Sequence, residues 1–175
     1  TVVSIGSSPS VKLIDNFGSV TEIRPGNYVF NDGMQLANNS AKLSECALRV
    51  LATVISRPNS QKVILNVGTK LFGSDRGKNI SNTGGYGMVV NSDKYVISRI
   101  YEEHAVIEGK NCFQIGEVIT IIPNHACIVA NLAKEIYLVN KNNEILICWG
   151  IFKQPAFTKR GKSLKFQKNR TFKGE

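Results

Sequence analysis

His125 and Cys127 stand one residue apart, just past an apolar run, Val118 to Ile122, that Pro123 stops. On extended backbone both side chains leave the same face, with Cα atoms about 6.5–7 Å apart. Imidazole and thiolate so placed are a zinc-type pair. They supply only two of the ligands that zinc normally takes. A structural reading competes with this one: cysteine is often a small core residue, and a histidine at a strand end can simply satisfy a backbone carbonyl. A second stretch, Gly6-Ser7-Ser8, follows a short apolar strand at 2–5. Exposed amides and hydroxyls after a strand can cradle a phosphate, although an ordinary turn has the same composition. Five glycines fall between Gly73 and Gly87. No helical pattern follows them, so this spacing is not a nucleotide fingerprint but a long surface loop.

These residues need a scaffold, and the composition is that of a globular one. A chain of 175 residues is normally one domain with a real core. Its 42% hydrophobic and 20% charged residues are ordinary for such a domain. No apolar run approaches the roughly 18–20 residues of a membrane span, and the N-terminus lacks the pattern of a signal peptide. The chain opens inside a strand without methionine, which predicts a piece excised from a larger protein. Cysteines at 46, 112, 127 and 148 form no CxxC pair, which predicts a reducing, cytoplasmic compartment. The net charge is +9. Eight Lys/Arg and a single acid, Glu175, lie in residues 153–175, so most of the positive balance belongs to the tail. The tail is read as a solvated or strand-like extension, with a nucleic-acid or acidic-surface contact as the alternative.

Short strands with turn signals between them recur along the body. They are expected at 47–56, 62–67, 86–90, 95–101, 105–108, 117–122, 136–139 and 145–151. Arg57-Pro58-Asn59-Ser60, Gly109-Lys110-Asn111 and Lys141-Asn142-Asn143 supply turns. Residues 33–45 read as a loop with at most one helical turn. No long amphipathic helix is expected. The fold class is therefore mainly β, an antiparallel barrel or sandwich.

Several blocks together resemble one family. They are SIGSSPS (4–10), EIRPGNYVFND (22–32), ATVISRP (52–58), NVGTK (66–70), EEHAVIE (102–108) and IGEVITIIPNHAC (115–127). The chain is similar to the C-terminal part of D-serine dehydratases and D-threonine aldolases, pyridoxal-phosphate enzymes with an alanine-racemase-like fold. The resemblance implies an antiparallel β-barrel domain at 18–152 and a basic tail at 153–175. Residues 1–17 would be the end of a missing N-terminal α/β barrel, including its last strand. Two departures bear on the substrate. Asn66 stands where the family usually has Asp, and Trp149 runs into Gly150-Ile151-Phe152-Lys153 without the usual Arg-Gly.

The same resemblance assigns roles. Gly6, Ser7 and Ser8 match the loop that binds the cofactor phosphate. His125 and Cys127 match the metal pair of the dehydratase type, which holds zinc. Glu103 and His104 are candidates for orienting the metal histidine, with a packed structural turn as the alternative. The Schiff-base lysine would lie in the missing barrel, so no residue here is catalytic in that sense and the chain alone is expected to be inactive. Lys70 is not expected to replace it. The implied whole is a lyase, a homodimer acting on a D-3-hydroxy amino acid by β-elimination. Aldol cleavage and racemisation are the alternatives, Tyr28 being a weak acid/base candidate for the latter. Two other classes compete: a structural dimerisation domain, and a basic barrel that binds nucleic acid through its tail. No membrane role is expected.

Overall fold

The computed structural model describes residues 1–77, 84–90, 92 and 94–150. The basic tail at 153–175, and the roles weighed for it, lie outside the described residues. So does part of the glycine-rich loop.

Six strands make one antiparallel sheet: β3 (Val50–Asn59), β4 (Lys62–Leu65), β5 (Gly87–Val89), β6 (Ile97–Ile100), β7 (Ala105–Glu108) and β8 (Val118–Pro123). Their order is β5-β8-β3-β4-β7-β6. The two edges curl toward each other. Met88 bridges Val96, Tyr86 N donates to Ile97 O at 3.0 Å, and Val89 N donates to Tyr95 O at 2.9 Å. The sheet thereby nearly closes into a small barrel, which shortens the free edges that its described strands present.

The barrel follows from period-two alternation. Val50, Ala52 and Val54 of β3 are buried, while Leu51 between them is 69% exposed. Val63 and Leu65 of β4, Ile97 of β6, Ala105 and Ile107 of β7, and Ile119 and Ile121 of β8 complete the interior. These are β-branched or compact side chains that pack well on a pleated surface. Each larger one stabilises the fold by about 1.5–3 kcal/mol on burial. On β8 the alternation has a second use. Ile121 points into the barrel, whereas Ile122, also fully buried, packs outside with Met88, Leu36 and Cys46. Leu36 belongs to a short helix, α2 (Gly33–Ala37), which lies within the stretch expected to be a loop with one helical turn.

Two short helices cap one end of the barrel: α3 (Thr69–Phe72) and α4 (Ala126–Leu132). Both exceed the expectation from sequence. Ala126 and Val129, three residues apart, bury one face of α4 in the same core as Phe72. Two small units complete the described chain. Strand β1 (Ser4–Ile5) runs into helix α1 (Ser8–Val11) and pairs in parallel with β2 (Glu22–Ile23). The segment expected to belong to a separate barrel is thus tied to residues of the β domain. Strands β9 (Glu135–Val139) and β10 (Ile145–Gly150) form an antiparallel hairpin.

Candidate functional site

Pro123 ends β8, and the chain turns into α4 within three residues. His125 is the N-cap residue, with extended backbone at φ −131° and ψ 99°. Cys127 is already the second residue of the helix. The expectation that both side chains leave one face of an extended strand is therefore corrected. They straddle a strand-to-helix junction, because the helix begins at Ala126.

Long-range hydrogen bonds build this junction. The carboxylate of Asp32, 0% exposed, accepts from Ala126 N at 2.9 Å. It also accepts from Gln35 N at 3.0 Å and from Asn27 Nδ2 at 2.6 Å. One side chain thus caps α2 and α4 together, satisfying amides that each helix leaves unpaired. Asn124, 2% exposed, offers its carbonyl to Met34 N at 3.2 Å. Its Nδ2 donates to Gly85 O and to Asp75 O at 3.3 Å. Gly33 lies so close that a Cβ there would sit 3.0 Å from Asn124 Oδ1; a larger residue would displace the turn.

Asn124 therefore fixes the loop that carries Asp75, and Asp75 in turn holds His125. The distance from His125 Nδ1 to Asp75 Oδ2 is 2.8 Å. The imidazole is 30% and the carboxylate 47% exposed. A carboxylate on Nδ1 favours the tautomer with the proton on that nitrogen and leaves the Nε2 lone pair free, as in carboxylate–histidine–metal triads. Cys127 is exposed and not in a disulfide. Borderline-soft nitrogen and sulfur donors of this kind fit zinc. Among the described residues no group of three or more His, Cys, Asp or Glu side chains is gathered as a metal cluster. His125 and Cys127 alone offer two donors of this type at the junction. Asp75 was missed from the sequence because it lies fifty residues away in a glycine-rich loop without periodicity.

Glu103 and His104 make other contacts. Gly68 packs so tightly on the backbone of Tyr101 and Glu102 that a Cβ there would lie 2.2 Å from Glu102 O. Thr69 N and Lys70 N, at the start of α3, donate to Tyr101 O at 2.7 Å and Glu102 O at 3.2 Å. Lys70 Nζ lies 2.5 Å from Glu103 and 3.5 Å from Glu102. Hydrogen bonding to Lys70, followed by its charge, lowers the Glu103 carboxyl below its usual range. The same bond to Glu103 raises the Lys70 ammonium. The carboxylate of Glu103 is thus committed to Lys70, while His104 is exposed and its carbonyl accepts from Tyr101 N. The partner that orients His125 in this structure is Asp75. Asn66, the departure from the expected Asp, bonds Thr53 through both its side chain, accepting at 2.7 Å, and its amide, donating at 3.1 Å.

The Gly6-Ser7-Ser8 turn lies at the start of α1. Gly6 and Ser7 are exposed and Ser8 is buried. Ser8 Oγ accepts from Tyr28 N at 3.0 Å, which anchors the turn to residues 27–29. The exposed amide and hydroxyl of Ser7 are donors of the kind an anion takes. A four-residue helix adds little dipole to them.

Comparison with known proteins gives a consistent picture. A family model described as a putative serine dehydratase domain matches residues 47–139. A D-serine dehydratase of Dictyostelium discoideum is 32% identical over 161 residues, covering 82% of this chain and 40% of that enzyme. A D-threonine aldolase of an Arthrobacter species is 28% identical over 139 residues, covering 77% and 35%. The solved structure of D-threo-3-hydroxyaspartate dehydratase from a Delftia species matches with a TM-score of 0.76 at 26% identity, over 85% of this chain and 43% of that one. Solved variants of the same enzyme include a histidine-to-alanine form and a cysteine-to-alanine form described as metal-free. The chain spans about two fifths of the length of these relatives.

Proposed function

The chain belongs to the putative serine dehydratase domain family, and on that premise we propose that it is the metal-carrying β domain of a pyridoxal-phosphate lyase acting on a D-3-hydroxy amino acid. The observation that carries this reading is the Asp75–His125 bond, two residues before Cys127 in the chain. His125 through Nε2 and Cys127 through its thiolate would hold zinc. Zinc would supply a Lewis acid toward the β-hydroxyl of the substrate. Pyridoxal phosphate, held in part by Gly6, Ser7 and the anchored Ser8, would supply an electron sink for charge at the α-carbon. This chain's own residues do the positioning. Asp75 holds the proton on Nδ1 of His125, and Asn124 fixes the backbone from which Asp75 projects.

The thiolate at Cys127 favours a softer metal than a carboxylate would. That supports the dehydratase reading, β-elimination of a D-serine-like substrate, over aldol cleavage. The Schiff-base lysine belongs to an α/β barrel in the longer protein, and Lys70, engaged by two glutamates, is not its substitute. We read the whole as a cytoplasmic homodimer. Among the described residues no helix is long and apolar enough to cross a membrane.

Zinc protection of Cys127 tests the metal assignment. Cys112 and Cys148 are also exposed and serve as internal controls. Added zinc should slow alkylation of Cys127 and leave the other two unchanged, and His125→Ala should abolish the protection. Equal labelling of Cys127 with and without zinc would refute the assignment. In the full-length enzyme, Cys127→Asp should shift metal content from zinc toward a harder cation and raise the ratio of aldehyde to keto-acid product.

A further inference from the structure

We infer that Asp32 is a positioning residue for the metal pair, setting zinc affinity from outside the ligand set. The inference rests on the metal reading of His125 and Cys127 given above. Asp32 is fully buried at 0% exposure, and a buried carboxylate is costly unless its oxygens are bonded. Here Oδ1 accepts from Gln35 N, while Oδ2 accepts from both Asn27 Nδ2 and Ala126 N. The α2 cap explains Oδ1, but the stability of α2 does not require Oδ2 to reach a residue 94 positions away.

That reach has a specific target. Ala126 is the residue between His125 and Cys127, and its amide is the first of α4. His125 has no side-chain cap to offer its own helix, so Asp32 replaces the local cap with a distant one. Holding Ala126 N fixes the dihedral angles on either side of it. Those angles set where the His125 ring and the Cys127 sulfur lie relative to each other. Asp75 fixes the His125 ring by a separate route. Asp32 acts on the separation between the two donors and Asp75 on the orientation of one. Groups that orient metal ligands without touching the ion typically change affinity by about 10–100-fold.

Zinc affinity of this chain, measured by competition with a chromophoric chelator, tests the inference, with thermal unfolding followed in parallel. Asp32→Ala removes both accepting oxygens, so Ala126 N loses its partner. Affinity should fall about tenfold or more. Asp32→Ser keeps a hydroxyl that can cap its own helix α2 but is too short to reach Ala126, so it should weaken zinc as Asp32→Ala does while disturbing α2 less. Leu36→Ala is the control: it loosens α2 through its apolar face and leaves every bond of Asp32 in place, so it should lower the unfolding temperature while zinc affinity changes less than about threefold. Wild-type zinc affinity in folded Asp32→Ala or Asp32→Ser would overturn the inference. So would losses in Asp32→Ala and Leu36→Ala that scale alike with stability. If the parent chain and His125→Ala bind zinc equally, the metal reading itself fails, which is a different result from a sound pair indifferent to Asp32.

Discussion

The junction that carries His125 and the β9–β10 hairpin are both short excursions from the barrel, and their polar bonds differ in reach. At the junction, Asp32 meets Ala126 across 94 positions, Asp75 meets His125 across 50, and Asn124 meets Gly85 across 39. In the hairpin, Tyr137 bonds Glu135 two positions away and Asn140 bonds Glu144 four away. Burial runs the opposite way to expectation from composition. Polar Asp32 and Asn124 are buried, while Leu138, Val139, Ile145, Leu146, Ile147 and Trp149 of the apolar hairpin are each at least 40% exposed. The first region depends on the rest of the fold for its shape. The hairpin holds itself together by its own turn and cross-strand ladder.

The largest effect should separate the barrel from the hairpin. Ile107 is fully buried in the barrel, and Leu146 is 58% exposed. Ile107→Ala should cost about 2–5 kcal/mol of unfolding free energy through the cavity it leaves. Leu146→Ala should change it by no more than about 0.5 kcal/mol. Denaturant titration of the two variants checks this. Equal losses would mean that the hairpin's apolar face is covered in solution and that the contrast in burial is false.

A smaller effect should mark the junction. Asn124→Ala removes the side-chain donor to Asp75 O and leaves Gly85 O with Gly77 N alone, and should cost about 1–3 kcal/mol. It also frees the loop that positions Asp75, so zinc protection of Cys127 should weaken in the same variant. A stable variant with unchanged protection would show that the loop is held by the Gly77–Gly85 bridge alone.

Reach also explains what the sequence could tell. The eight body strands were legible because alternation and turn residues are local, and β3 through β10 fall within a few residues of their expected places. The pairing order was not legible, since nothing local states that β8 lies between β5 and β3. Helix α4 was missed for a related reason. Its cap comes from Asp32, and the stretch Ala126-Cys127-Ile128-Val129 carries too many β-branched residues for its helical period to stand out. His125 and Cys127 were visible as a candidate pair in their own spacing. Asp75 and Asp32 had no signal of that kind, because their significance lies in partners far along the chain. Glu103 and His104 drew attention through their match to a family block, and in the structure Glu103 pairs with Lys70 of α3 while the His104 carbonyl accepts from Tyr101 N.

The smallest effect belongs to the hairpin's local bonds, and it can be read without touching stability. Tyr137 Oη donates to Glu135 Oε2 at 2.6 Å. That bond, with a further contribution from Cys148 across the strand pair, pushes the Tyr137 phenol up to about 12 from its ordinary 10.0. The neutral phenol is the donor, so losing its proton removes the bond. Because the folded value is the raised one, the contribution is fully present below pH 10 and is lost as pH rises toward 12. The group is solvent-exposed, so its effect on folding should be too small to resolve thermally. Ultraviolet titration of tyrosinate is the sharper measurement. Between about pH 10 and 11, one of the five tyrosines should lag behind the others. Glu135→Gln should bring its titration back toward the ordinary value, because a neutral amide accepts less strongly than a carboxylate. If all five tyrosines ionise together in the parent chain, the Tyr137–Glu135 bond does not persist in solution, and the hairpin keeps its shape through its backbone ladder alone.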